Sequence, residues 1–339
     1  MNPDLTKGAI CGEFGISYQA HNQMRLRQKQ RAEVEAKVVE KVQEIRQELP
    51  RAGARKLHYL MSDFYQAEGI PMGRDRLFDL LRARNMLVQP KRKGTRTTFP
   101  GGVRSENLLD SATITGPNQA WVVDITYIAT EAGYRYLALV TDLYSRRIMG
   151  WDLSDSLSLE GALRAMQRAL AQVKGPVKGL IHHSDHGVQY TSREYLALLR
   201  QHGIRPSMGA VGNAYDNAVA ERVNGILKLE FMLDQRFPDD ATAYRAVANA
   251  IHLYNTKRPH LSLKYATPEQ AYRRGLRQSE APAPIAEPLP SGPELSRGEG
   301  GFGLRLAQPL TASGRRIDWP VGDGASASNS SYGKVPSSS

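Results

Sequence analysis

One cysteine in 339 residues, Cys11, leaves no partner for an intrachain disulfide and too few thiols for a cysteine-based zinc site, a usage that fits a reducing cytoplasm. No apolar run approaches the ~20 residues that span a bilayer, Met1-Asn2-Pro3-Asp4 does not open like a signal peptide, and no internal repeat is present. No Ser-His or Cys-His pairing stands out, so nothing points to a side-chain nucleophile. Acid is also short: 34 Asp+Glu face 45 Lys+Arg, for a formal charge of +11.

That excess is unevenly placed. Residues 1–104 hold 20 basic and 11 acidic side chains, residues 105–275 hold 19 and 17, and the tail is balanced at 6 and 6. A basic segment ahead of the rest is where a DNA-gripping module is expected. Lys91, Arg92, Lys93 and Arg96 stand in an extended linker between Pro90 and Pro100. Such a run binds phosphate backbone without reading sequence.

The acids that remain are more telling than their number. Asp124 lies in Trp121-Val122-Val123-Asp124-Ile125-Thr126-Tyr127-Ile128, a β-branched and aromatic run that reads as a strand buried on both faces. An ionised carboxylate there asks for a cation or a strong partner, because desolvation otherwise costs several kcal/mol or more. Asp185 follows the short apolar run Gly179-Leu180-Ile181 and reads as a strand-end residue, the position where open α/β sheets gather ligands. Glu221 lies near the start of a helix whose stripe is Val219, Val223, Ile226 and Leu227, with Asp216 or Asn217 as its cap. There the helix dipole favours an ionised carboxylate. Lys228, seven residues on, returns to the same face about 10 Å along the axis.

Two strand acids and one helix acid match what phosphodiester chemistry asks of a protein. Two Mg²⁺ or Mn²⁺ ions about 3.5–4 Å apart activate an attacking oxygen and stabilise a leaving one. Oxygen ligands suit these ions better than zinc. Asp124, Asp185 and Glu221 are therefore the candidate catalytic and metal-binding residues, and Lys228 a candidate phosphate contact. His182, His183 and His186 read as packing or supporting groups, since neighbours in a strand point to opposite faces.

Several stretches carry a resemblance. His183-Ser184-Asp185-His186-Gly187-Val188-Gln189-Tyr190, Tyr215-Asp216-Asn217-Ala218-Val219-Ala220-Glu221, Tyr254-Asn255-Thr256-Lys257-Arg258-Pro259-His260 and the Trp121–Ile128 segment resemble the integrase-type DDE transposases of insertion-sequence family three. These are the catalytic proteins of the element's second reading frame, similar to the retroviral integrase core. The resemblance spans about residues 105 to 272. It implies that Asp124, Asp185 and Glu221 bind two Mg²⁺ or Mn²⁺ ions and that Lys228 meets the DNA end. It departs at position 186, where the family more often has arginine, which puts the contact made there in question.

The implied fold is RNase H-like: a five-stranded mixed sheet flanked by helices, preceded by an α-helical, helix-turn-helix-like region. Read independently, residues 120–130, 134–144, 146–153, 179–185 and 204–208 are predicted strands. Residues 158–173, 192–202, 217–233 and 240–255 are predicted helices, and in the first of these Leu163, Met166, Leu170 and Val173 form a packing stripe. Upstream, helices are expected over 31–49, 54–67 and 74–86, the last two resembling the family's helix-turn-helix. Arg55, Lys56, Arg74 and Arg76 on them are as expected of solvated helix charges as of DNA contacts. Residues 9–17 read as another helix-turn-helix piece with Gly15 at its turn.

The domain expectation is a helical DNA-binding region over 1–88, a basic linker over 89–104, the catalytic core over 105–275 and a disordered Pro/Ser/Gly/Ala-rich tail over 276–339. The expected function is a DNA transposase that nicks and strand-transfers DNA. The expected partners are element ends and target DNA, a homo-oligomer assembled on them, and the first-frame protein or a fusion with it, in the bacterial cytoplasm at the nucleoid. Two other readings stay open: a DNA-binding accessory or inhibitor of transposition dependent on that first-frame module, and an RNase H-type nuclease.

Overall fold

The computed structural model describes residues 6–89, 107–175, 177–185, 187–209 and 218–280, which fall in one compact unit. Lys91, Arg92, Lys93, Arg96, His186, Asp216, Asn217 and the tail from 281 lie outside the described residues.

The centre is a mixed sheet. β1 (Ala120–Thr130), β2 (Gly133–Asp142) and β3 (Ile148–Ser154) form an antiparallel meander, and β4 (Ile181–Ser184) and β5 (Arg205–Met208) add in parallel on the far side of β1, giving the order β3-β2-β1-β4-β5. Gly133, at φ +127, closes the first hairpin in a conformation that side chains disfavour. At the second turn the Asp142 carboxylate accepts from the Ser145 backbone N–H (2.8 Å) and hydroxyl (2.5 Å).

Alternation along the strands separates two cores. Trp121, Val123, Ala138 and Val140 face α6 (Leu159–Ala171) and α7 (Arg193–Gln201), meeting Met166, Tyr195 and Leu199. Ile128, Leu137 and Leu139 face the other way, against α8 (Ala218–Glu230) and α9 (Asp240–Thr256). Burying such a side chain fully is worth roughly 1.5–3 kcal/mol, so both faces bind their helices firmly. On β3, Gly150 lies so close to α6 that an added Cβ would collide with the Ala165 carbonyl and the Ala169 backbone. α10 (Pro268–Glu280) closes the described chain.

The five expected strands are present, and a sixth joins them: β6 (Arg236–Phe237) pairs in parallel with Ala129 and Thr130. The helix expected over 217–233 ends at Glu230, and Met232 turns the chain at φ +60. A two-residue strand is too short to leave a period in the sequence.

Ahead of the sheet lie α1 (Lys7–Glu13), α2 (Tyr18–Glu48), α3 (Ala54–Leu60), α4 (Ser62–Ala67) and α5 (Arg74–Ala83). Val38, Val42, Leu57, Met61, Tyr65, Leu77 and Leu81 form the common core of α2, α3, α4 and α5. α2 starts well before the expected residue 31: Ser17 accepts from the Ala20 N–H (3.1 Å) as its N-cap, and Gly15 at φ +67 makes the turn from α1. Its first half has Met24 and Leu26 exposed, so no buried stripe announces it. The helix expected over 54–67 breaks at Met61 into α3 and α4, a kink that buries Leu57, Met61 and Tyr65 together. Among the described residues no helix is long and apolar enough to cross a membrane.

Candidate active site

β4 pairs with β1 only at residues 120–122, and β6 only at 129–130. Between them the edge of the central strand has no strand partner among the described residues. Asp124 sits in that gap, and Asp185 follows the end of β4 directly. α8 packs beside β1, with Glu221 exposed in its first turn and Lys228 in its last. The two strands thus bring Asp124 and Asp185 to one edge, and α8 brings Glu221 within reach of their charge.

The electrostatics report that proximity. Burial, then the Asp185 charge, push the Asp124 carboxyl up to about 7, with Glu221 adding in the same direction. Hydrogen bonds work against this: Asp124 Oδ1 accepts from the Ile125 N–H (2.9 Å) and Oδ2 from the Asn224 amide (2.6 Å). Tyr190, fully enclosed, is raised well above its ordinary value by burial, and then by Tyr195 and the charges of Asp124 and Asp185. Asp185 Oδ1 accepts from the Gly187 N–H (3.0 Å). Among the described residues no three His, Cys, Asp or Glu side chains are drawn together closely enough to hold an ion as they stand. Like charges repel, which opposes a tight ring of bare carboxylates. Burial lowers the pKa of Lys228, while Asp124 and Asp234 raise it; its Nζ lies 6.0 Å from the centroid of Tyr127.

Asn224 is the residue that sequence reasoning passed over. It lies three positions after Glu221 and so on the same helix face, a polar side chain in an otherwise apolar stripe, and that was the available signal. Its amide orientation follows from its partner, since the reverse would set a carbonyl against a carboxylate. Asn224→Ala should lower DNA cleavage about 10–100-fold while leaving the fold intact, the scale expected where the carboxylate it orients, the candidate ligand Asp124, holds a metal. Unchanged single-turnover cleavage in a folded variant would show that Asp124 needs no such support.

His182 and His183 are buried in β4 and bond to neighbours, Nε2 of the first to the Tyr195 hydroxyl and Nδ1 of the second to the Ser207 hydroxyl, each at 2.9 Å. Burial pushes His182 down to about 3. These are packing contacts.

The segment Tyr254–His260 is also structural where it is described. Tyr254 donates to the Arg146 carbonyl (2.9 Å), and Asn255 bonds both the N–H and the carbonyl of Ile148 (2.9 and 3.0 Å), capping the edge strand β3. Arg258 makes a two-pronged pair with Glu230 (2.9 and 2.7 Å), and Lys56 of α3 reaches the same carboxylate (2.8 and 2.7 Å). Burial raises the Glu230 carboxyl, but the bonds and charges of Arg258 and Lys56 together outweigh it and bring the group down to about 2. Lys56 itself is lowered, by burial first and then by Arg258, so one carboxylate here serves two cations. The last turn of α8 is thereby tied both to the core and to the helical region.

A mixed sheet of this order, with one acid inside the central strand, one just past the end of its parallel neighbour and one on the adjoining helix, defines the class of integrase-type phosphoryl-transfer domains. Residues 114–214 and 202–268 match two families, each described as integrase core domain. Transposase InsF for insertion sequence IS3A of Escherichia coli K12 is 36% identical over 230 residues, covering 67% of this chain and 78% of that protein. A protein assigned as the transposase for insertion sequence element IS986/IS6110 in Mycobacterium tuberculosis is 38% identical over 187 residues; the match covers 53% of this chain and 66% of the relative's length. Among solved structures, the catalytic core domain of HTLV-2 integrase in complex with magnesium aligns at 19% identity and a TM-score of 0.37, covering 46% of this chain and 97% of that one. A simian T-cell lymphotropic virus intasome in complex with PP2A regulatory subunit B56 gamma aligns at 18% and 0.41, covering 73% and 81%. The chain belongs to the integrase-core DDE transposases of IS3-type insertion sequences.

Proposed function

We propose that this chain nicks DNA at the ends of an insertion sequence and joins the freed ends to target DNA, using Asp124, Asp185 and Glu221 as ligands of two Mg²⁺ or Mn²⁺ ions. The observation that carries this reading is the Asp124 carboxyl, pushed up to about 7 by burial and by its acidic neighbours at an open strand edge. A buried carboxylate opposed in this way by two acidic neighbours fits a hard divalent cation, which replaces repulsion by ligation. Such ions, when bound, activate the attacking oxygen and stabilise the leaving one.

The protein's own side chains do the rest. Asn224 holds Asp124 in place, Lys228 meets a phosphate beside the acids, and the helical region over residues 1–88 with the basic linker over 89–104 grips the duplex. In nicking, the oxygen of water bonds to phosphorus as the bond to the 3′ oxygen breaks, leaving a 3′-hydroxyl. In transfer, that hydroxyl attacks a second phosphodiester, so one ester replaces another and no external energy source is needed. Holding two element ends calls for more than one copy of the chain on DNA, in the bacterial cytoplasm at the nucleoid.

The test is an assay on DNA carrying the element's ends, with the chain alone or fused to its first-frame module. With Mg²⁺ or Mn²⁺, nicked and joined products are expected, and EDTA should remove both. Absence of either product with both ions and both protein forms would reject the reading.

A further inference from the structure

Beside the acids, the sheet carries three tyrosines on one face. Tyr127 lies three residues after Asp124 on β1, so its ring leaves the other face of the strand, and it pairs across the strands with Tyr136, while Tyr134 opposes Ala129 two residues further. The rings touch edge to face, Tyr127 to Tyr136 at 5.6 Å and to Tyr134 at 6.0 Å between centroids. A cross-strand aromatic set can serve only to stabilise a sheet, but these rings lie outside both cores. Tyr127 is 46% and Tyr134 60% exposed, although rings of this size normally bury. Lys228, whose ammonium stands 6.0 Å from the Tyr127 ring centroid and also feels the Asp124 charge, links the rings to the acids.

Open aromatic faces next to a cation are the two elements that proteins use to hold an unpaired nucleic-acid strand: rings accept bases in any sequence, and the cation follows the backbone. Strands advance about 3.4 Å per residue and alternate faces, so Tyr127 stands about 10 Å along the open edge of β1 from Asp124 and on the other face, a span of one to two nucleotides for a strand that passes round that edge at Lys228. Resting on the DNA reading above, we infer that Tyr127 and Tyr134 form a stacking platform for one or two unpaired bases next to the scissile phosphate, with Lys228 on the adjoining phosphate. The site takes single-stranded DNA and has no preference for a particular base.

The experiment uses the full chain and a forked duplex with 2-aminopurine in its unpaired strand, alongside a blunt duplex of the same sequence. The wild type should quench the fluorophore on the fork. Tyr127→Ser/Tyr134→Ser should lose the quenching and bind the fork about tenfold more weakly, the loss of one stacked base, with blunt-duplex binding unchanged. Tyr127→Trp should keep the quenching. Tyr134→Ser alone, at the more exposed ring, should weaken it even if the double variant misfolds. Wild-type quenching and fork affinity in a folded Tyr134→Ser and double variant would overturn the platform. Asp124→Asn separates the two readings: it should quench as the wild type does while failing to cut, so quenching without loss of cutting condemns the catalytic assignment and leaves the platform standing.

Discussion

Asp124→Asn is expected to lose nicking and strand transfer together, by ~10²–10³-fold or more in Mg²⁺, the scale on which removal of one preorganised electrostatic group is felt. DNA affinity should hold, because the residues proposed to grip the duplex are others and backbone contacts position rather than react. The same variant should be more stable than the wild type when divalent ions are absent. Its amide has nearly the same shape as the carboxylate, its oxygen still accepts from the Ile125 N–H, its own N–H donates to the Asn224 carbonyl once that amide turns over, and it removes the charge that burial and Asp185 oppose. Added Mg²⁺ should raise the melting temperature of the wild type and not of the variant. Retained strand transfer in Mg²⁺ would remove Asp124 from the chemistry, whatever the melting curves show.

Glu230→Ala is expected to destabilise the fold by ~3 kcal/mol or more, since it strands two cations. Arg258 is 4% exposed and Lys56 21%, and breaking a buried pair from one side leaves an uncompensated charge. The pH dependence has a definite sign. The Glu230 carboxyl titrates at about 2 when folded and near its ordinary 4.5 when unfolded. Its contribution is therefore complete above about pH 4.5 and lost as pH falls towards 2. Urea unfolding from pH 7 down to pH 3 should give wild-type and variant midpoints that converge in acid. Equal midpoints at pH 7 would mean the cluster contributes nothing.

Much of this was legible from the chain because the informative residues sit in regular elements. The Trp121–Ile128 run read as a strand buried on both faces; it is the central strand, though Tyr127 is exposed beside the open edge, and a carboxylate inside it stood out. The stripe of α8 placed Glu221 and Lys228 on a common face. What stayed hidden depends on contacts distant in sequence. Nothing around Asn224 says that its amide lies 2.6 Å from a residue 100 positions earlier, and nothing around Lys56 names a carboxylate 174 positions away. Arg258 drew notice as part of a motif, yet its role follows only from Glu230. The early half of α2 escaped because a solvated helix needs no apolar stripe, and β6 because two residues make no pattern. Lys91, Arg92, Lys93 and Arg96, read as a phosphate-binding linker, lie outside the described residues.

The cluster of Lys56, Glu230 and Arg258 also limits how such proteins recombine. Grafting a different front end onto this core would leave Glu230 and Arg258 as a pair without their third member, unless the donor supplied a cation at the matching place. Chimeras that exchange residues 6–89 for another helical region should therefore succeed according to whether that single position is respected, more than according to overall similarity of the parts.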